Sequence, residues 1–92
     1  MSVTVHVSGH LKPFTKGEVE MELLGEFETV KDALASLWKS HPALRDRVLT
    51  ETGEIRQHVN IFAGSDDVKR LKGLATKLNS HELHIFNAVS GG

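Results

Sequence analysis

The run "VTVHV" from Val3 to Val7 is apolar at every second residue, the period of a strand with one buried face. On that pattern Val3, Val5 and Val7 face a core, with Thr4, His6 and Ser8 opposite. "GHLKPFTKG" follows with Pro13 and two glycines, and reads as a loop closing a hairpin. "EVEMEL" alternates again, placing Val19, Met21 and Leu23 inward and Glu18, Glu20 and Glu22 outward. Three glutamates on one face suit an edge strand that carries charge against further strand pairing. A docking strip for a basic partner is the other reading.

The period then changes. In "ETVKDALASLWKSHP" the apolar residues Val30, Ala33, Leu34, Leu37 and Trp38 form one stripe of a helix, from about Val30 to Ser40. Thr29 stands at the N-cap with Asp32 three residues on, close to a capping box. Pro42 ends this helix and opens a short second one, "PALRDRVL", with Leu44 and Val48 on one face. The Trp38 stripe is read as core packing rather than a ligand wall.

"TETGE" is a polar turn. "IRQHVNIFA" predicts a strand with Ile55, Val59, Ile61 and Ala63 on one face and His58, Asn60 and Phe62 on the other. "GSDD" turns the chain, and "VKRLKGLATKLN" reads as a turn with a scrap of strand. "ELHIFNAV" predicts the last strand, with Leu83, Ile85 and Val89 inward and His84, Phe86 and Ala88 outward. The order strand, strand, helix, strand, strand describes one α+β domain.

Composition narrows the function. The 92 residues carry 11 Lys plus Arg against 12 Asp plus Glu, a net charge of −1. Neither half of the chain holds the basic excess that nucleic acid or an anionic membrane would want, so neither partner is expected. With no cysteine there is no disulfide, thiol nucleophile or thiolate metal site. The amino terminus lacks the basic start and long apolar run of a signal peptide, and a soluble cytoplasmic protein is expected.

No familiar catalytic grouping is present: neither a glycine-rich loop between strand and helix, nor His-Glu-x-x-His, nor Gly-x-Ser-x-Gly. His6, His58 and His84 share the outward parity of three strands. Were those strands neighbours, three imidazoles could converge on zinc, yet structural zinc normally takes a fourth ligand. No metal is expected, and a mixed His and Phe surface is. Phe62 and Phe86 share that parity, and exposed apolar groups tend to mark interaction sites. Phe62, Phe86, His84 and His58 are therefore the candidate docking residues. The other reading is that a loop around Phe14 covers them.

The last residues are "NAVSGG". Gly makes up ~7% of average sequence, so a Gly-Gly end arises by chance in roughly one chain in two hundred. Together with "HVNIFAGSDDVKRLKGLATKL", this ending resembles the MoaD/ThiS-type β-grasp sulfur carriers, a ubiquitin-like family. The family includes the small subunit of molybdopterin synthase and the carriers of thiazole and cysteine biosynthesis. The resemblance covers nearly the whole chain, and its specific part is the last third. The matching positions are Val59, Asn60, Ile61, Asp67, Val68, Gly73, Leu74, Thr76, Leu78, Ala88, Val89, Gly91 and Gly92. Asn87 replaces the usual proline, Ser90 a common alanine, and "NSHEL" the usual Asp-Gly-Asp turn. The stretch "PALRDRVLTETGEI" makes the chain more similar to the molybdopterin and cysteine-type carriers than to minimal thiazole carriers.

The resemblance implies a ubiquitin-like β-grasp domain over residues 1–88 and a flexible diglycine tail over 89–92. It also implies a mixed twisted sheet whose first and last strands are parallel neighbours, with the main helix on one face as a right-handed crossover to a parallel third strand. On the same resemblance no bound cofactor is expected. The resemblance further implies that an adenylating, ubiquitin-activating-like enzyme uses ATP and magnesium to form an acyl-AMP at Gly92. A sulfur donor such as a persulfide-bearing protein then leaves a thiocarboxylate, which a downstream synthase consumes. The resemblance thus implies a protein co-substrate and not an enzyme. Val89, Ser90 and Gly91 would thread the partner's active site, reaching at most ~10 Å. Glycine suits this role because it lacks a Cβ and adopts extended and left-handed backbone equally. Two alternatives stay open: a ubiquitin-like modifier joined through Gly92 to lysines, and a non-reactive interaction module.

Overall fold

The period-two run at the amino terminus does form a strand, β1 (Ser2–Val7), in a computed structural model that describes residues 2–87. The expectations for Ala88, for an inward Val89 and for the tail from Val89 to Gly92 fall outside the described residues. Next come β2 (Glu20–Leu24), α1 (Val30–Ser40), α2 (Pro42–Val48), β3 (Val59–Ala63), a two-residue β4 (Asp66–Asp67) and β5 (Glu82–Asn87). The sheet order is β2-β1-β5-β3-β4. β1 and β5 pair in parallel at the centre, with Val5 opposite Leu83 and Val7 opposite Ile85. β2 lies antiparallel on β1 and β3 antiparallel on β5, so β2 and β3 run the same way two strands apart. This is the β-grasp arrangement, with the helices joining β2 to β3.

One face of the sheet is apolar. Val3, Val5, Val7, Met21, Leu23, Val59, Ile61, Ala63, Leu83 and Ile85 are all buried, each at its strand's inward parity. Val30, Ala33, Leu34 and Leu37 of α1 and Leu44 and Val48 of α2 join the same core. Trp38 is half-buried and packs against it, as core packing requires. The capping box forms: Asp32 N–H donates to Thr29 Oγ1 and Thr29 N–H to the Asp32 carboxylate, both at 3.2 Å. Thr29→Ala is expected to cost about 0.5–2 kcal/mol, read as a lower urea midpoint at unchanged slope.

The structure corrects several expectations. β2 starts at Glu20, so Val19 stays 43% exposed, and Glu18 precedes the strand, its carboxylate 3.4 Å from His41 Nε2. The hairpin loop holds a 3₁₀ turn (Gly9–Phe14) that drives Leu11 into the core. β3 begins only at Val59, because Ile55 instead makes an isolated bridge to Leu49. His58 therefore sits exposed in the turn before the strand. "GSDD" is a two-residue hairpin turn with β4 behind it. Gly64 takes φ +62° while Ser65 stays out of the positive-φ region, the pattern of a type II′ turn.

Candidate functional site

The outward residues of the five strands fall into register. Glu20 of β2 pairs with His6 of β1, His6 with His84 of β5, His84 with Phe62 of β3, and Phe62 with Asp67 of β4. One row of side chains thus crosses the whole sheet, acidic at the β2 edge and aromatic beyond its centre. Phe86 lies two residues along β5 from His84, opposite Asn60. The Phe62 and Phe86 rings pack together with centroids 5.6 Å apart. Both are half-buried, held by each other and their strands.

Three of the four candidate docking residues, Phe62, Phe86 and His84, therefore share one face. His58 does not belong to the row, because the strand that would have carried it starts one residue later. Phe14 does not cover the phenylalanines. It packs against the core, and the guanidinium of Arg47 in α2 stands 4.3 Å over its ring. Two of the three histidines of the metal trio come together: the His6 and His84 rings stack at 4.7 Å, 12° from parallel. In place of His58 the structure supplies Glu82, whose Oε1 is 2.8 Å from His6 Nε2. Glu20 Oε2 is 3.9 Å from His6 Nδ1 on the other side. Glu82 was legible by parity, since it stands two residues before His84 on the same strand face.

The residues that carried the family resemblance turn out to build the scaffold. Val59, Ile61 and Val68 are core residues. The Asp67 carboxylate accepts the Lys69 N–H at 3.0 Å and so starts the 3₁₀ turn Val68–Arg70. Gly73 takes φ +59°. Thr76 is buried, its Oγ1 accepts the Lys72 N–H, and its carbonyl accepts the Val30 N–H at 3.0 Å. Leu78 N–H donates to the Glu28 carbonyl. "GLATKL" is thus stitched to the start of α1, and it delivers the chain to β5 in the middle of the sheet. β5 ends at Asn87, paired with Val59, five positions before Gly92.

The ThiS family model matches residues 5–92, which takes in the second half of β1, every later strand, both helices and the Gly91–Gly92 pair. The chain belongs to the ThiS family. Sulfur carrier protein CysO of Mycobacterium tuberculosis is 28% identical over 95 residues, covering 100% of both chains. Small archaeal modifier protein 1 of Haloferax volcanii is 41% identical over 64 residues, 70% of each chain. Among solved structures, one chain of the Amycolatopsis orientalis BexX/CysO complex superposes with a TM-score of 0.82 at 25% identity, covering 98% of this chain and 99% of that one. The ubiquitin-like β-grasp fold is common to this chain and its solved relatives. No helix among the described residues is long and apolar enough to cross a membrane.

Proposed function

We propose that this ThiS-family chain is a sulfur carrier whose working group is the main-chain carboxylate of Gly92. The observation that carries this reading is that the family match runs to residue 92, through the diglycine, in a chain similar to a sulfur carrier over its full length. A free carboxylate is a poor acyl donor, so it has to be activated before sulfur can replace an oxygen. An adenylating partner joins Gly92 to AMP from ATP and magnesium, releasing pyrophosphate. A sulfur donor then attacks the acyl carbon, AMP leaves, and a thiocarboxylate remains for a sulfur-accepting synthase of the molybdopterin or cysteine type. The chain itself is a co-substrate, with Val89, Ser90 and Gly91 as the segment that enters the partner's active site.

Incubated with ATP, magnesium, its adenylating enzyme and a sulfur source, the intact protein is expected to gain the mass difference between sulfur and oxygen, mapped to Gly92. A lysine-linked adduct on other proteins, in place of that gain, would establish the modifier reading. The 41% identity to small archaeal modifier protein 1 is what favours that second reading. Absence of any acyl-AMP would leave a plain interaction module.

The row across the sheet supplies the docking face. The apolar part of this face is the Phe62–Phe86 pair on β3 and β5, and Glu20 and Glu22 lie on its β2 side, so it suits a partner that offers an apolar pocket beside basic groups. Phe86→Ala or Phe62→Ala is expected to weaken the complex with the adenylating enzyme by roughly 1–3 kcal/mol, the range of a central anchor. Titration calorimetry checks this, and unchanged affinity in both variants would move the docking site off this face.

A further inference from the structure

The His6–His84–Glu82 cluster is more than a pair of hydrogen-bonded side chains. The 2.8 Å contact of His6 with Glu82 needs only those two groups. His84 adds a second imidazole, stacked on the first, on the neighbouring central strand. The backbones of the two histidines are fixed by the parallel register of β1 and β5, a pair with a further strand on either side. The two rings place nitrogen donors on one face of the sheet, and Glu82, two residues before His84 on β5, adds a carboxylate.

The spacing fits a metal. One donor atom from each of His6, Glu82 and His84 lies within 4.8 Å of the others. Tetrahedral ligands ~2.0–2.1 Å from zinc stand about 3.4 Å apart, so the widest gap has to close by at most ~1.4 Å. Rotation of the side chains supplies that closure, because His6 is 32% exposed and Glu82 56%. Two imidazoles and one carboxylate form a donor set of borderline softness, which selects zinc-class divalent ions over magnesium or calcium. Glu20, 3.9 Å from the other nitrogen of His6, makes the local potential more negative still.

We propose that His6, His84 and Glu82 form an open two-histidine, one-carboxylate site for a zinc-class divalent cation on the exposed face of β1 and β5. A fourth position remains for water or an incoming ligand. The site stands on the sheet geometry and does not depend on the carrier reading.

The test is a zinc titration of the tag-free chain, by calorimetry or competition with a chelating dye. One zinc per chain is expected, with His6→Ala, His84→Ala and Glu82→Gln each lowering affinity at least ~10-fold. His58→Ala, in its turn outside the row, is expected to leave affinity unchanged. In the wild-type chain, the NMR ring signals of His6 and His84 should move together on adding zinc, while those of His58 and His81 stay. This second reading holds even where a variant fails to fold. Absence of stoichiometric binding overturns the site. A smaller loss in any of the three variants, or ring signals that move elsewhere, also overturns it.

Discussion

Deleting Gly92 should abolish thiocarboxylate formation and leave the fold untouched. The shortened chain still ends in a glycine carboxylate, so the acyl chemistry itself is unchanged. What changes is reach: one residue fewer withdraws the carboxylate by up to ~3.3–3.6 Å in an extended segment. Misplacement of reacting groups by as little as ~1 Å can cost 10²-fold, so a loss of that size or more is expected. The described core runs from Val3 to Ile85, well short of the deletion, and the melting temperature should therefore stay put. Gly92→Ala separates position from bulk, since it restores the length and adds only a Cβ beside the carbonyl under attack. Intact-mass measurement after reaction with the adenylating enzyme and a sulfur source reads all three proteins. Wild-type sulfur gain in the shortened chain would show that the count of residues beyond β5 does not place the reacting group, and the proposed role of Gly92 would fall.

The parts of this fold that were legible from sequence are those whose signal is local. Val3, Val5 and Val7 repeat every second residue and α1 repeats its stripe over two turns, so each element announces its own buried face. Thr29 and Asp32 are three residues apart and find each other within one helical turn. Where the signal is not local, pattern reading slips. Leu11 is apolar in a stretch dominated by Pro13 and glycines, and nothing nearby says that a 3₁₀ turn points it inward. Ile55 has the parity of β3 but pairs with Leu49, a choice made by the end of α2 and not by its own neighbours. The docking face divides in the same way. Phe62 and Phe86 were legible by parity, whereas His6 and Glu82 are 76 positions apart and meet only through the parallel pairing of β1 with β5. The family motif was legible for a different reason. Asp67, Val68, Gly73 and Thr76 each satisfy a specific turn or a buried bond, so the scaffold beneath the tail leaves a sharper trace than the face it presents.

The largest expected loss of stability is that of Leu37→Ala. Leu37 sits in the middle of α1, fully buried, on the stripe that α1 presents to the core. Truncation removes three side-chain carbons and leaves a cavity that the surrounding β-strands, locked by their ladders, can close only in part. Such changes cost about 2–5 kcal/mol. Against a total stability of roughly 5–15 kcal/mol for a chain of this kind, that is a large share. It corresponds to a drop in melting temperature on the order of 10–30 °C for a domain of this size. Leu37→Met keeps the volume and should cost less than ~1.5 kcal/mol, which distinguishes lost packing from any sensitivity of the helix to substitution. Phe86→Ala should fall well below Leu37→Ala, because Phe86 is half-buried on the opposite face and already borders water. Thermal and urea melts of the three variants provide the comparison. A Leu37→Ala protein as stable as Phe86→Ala would mean that α1 is not seated on the sheet as described, and the assignment of the two faces, core and docking, would have to be given up.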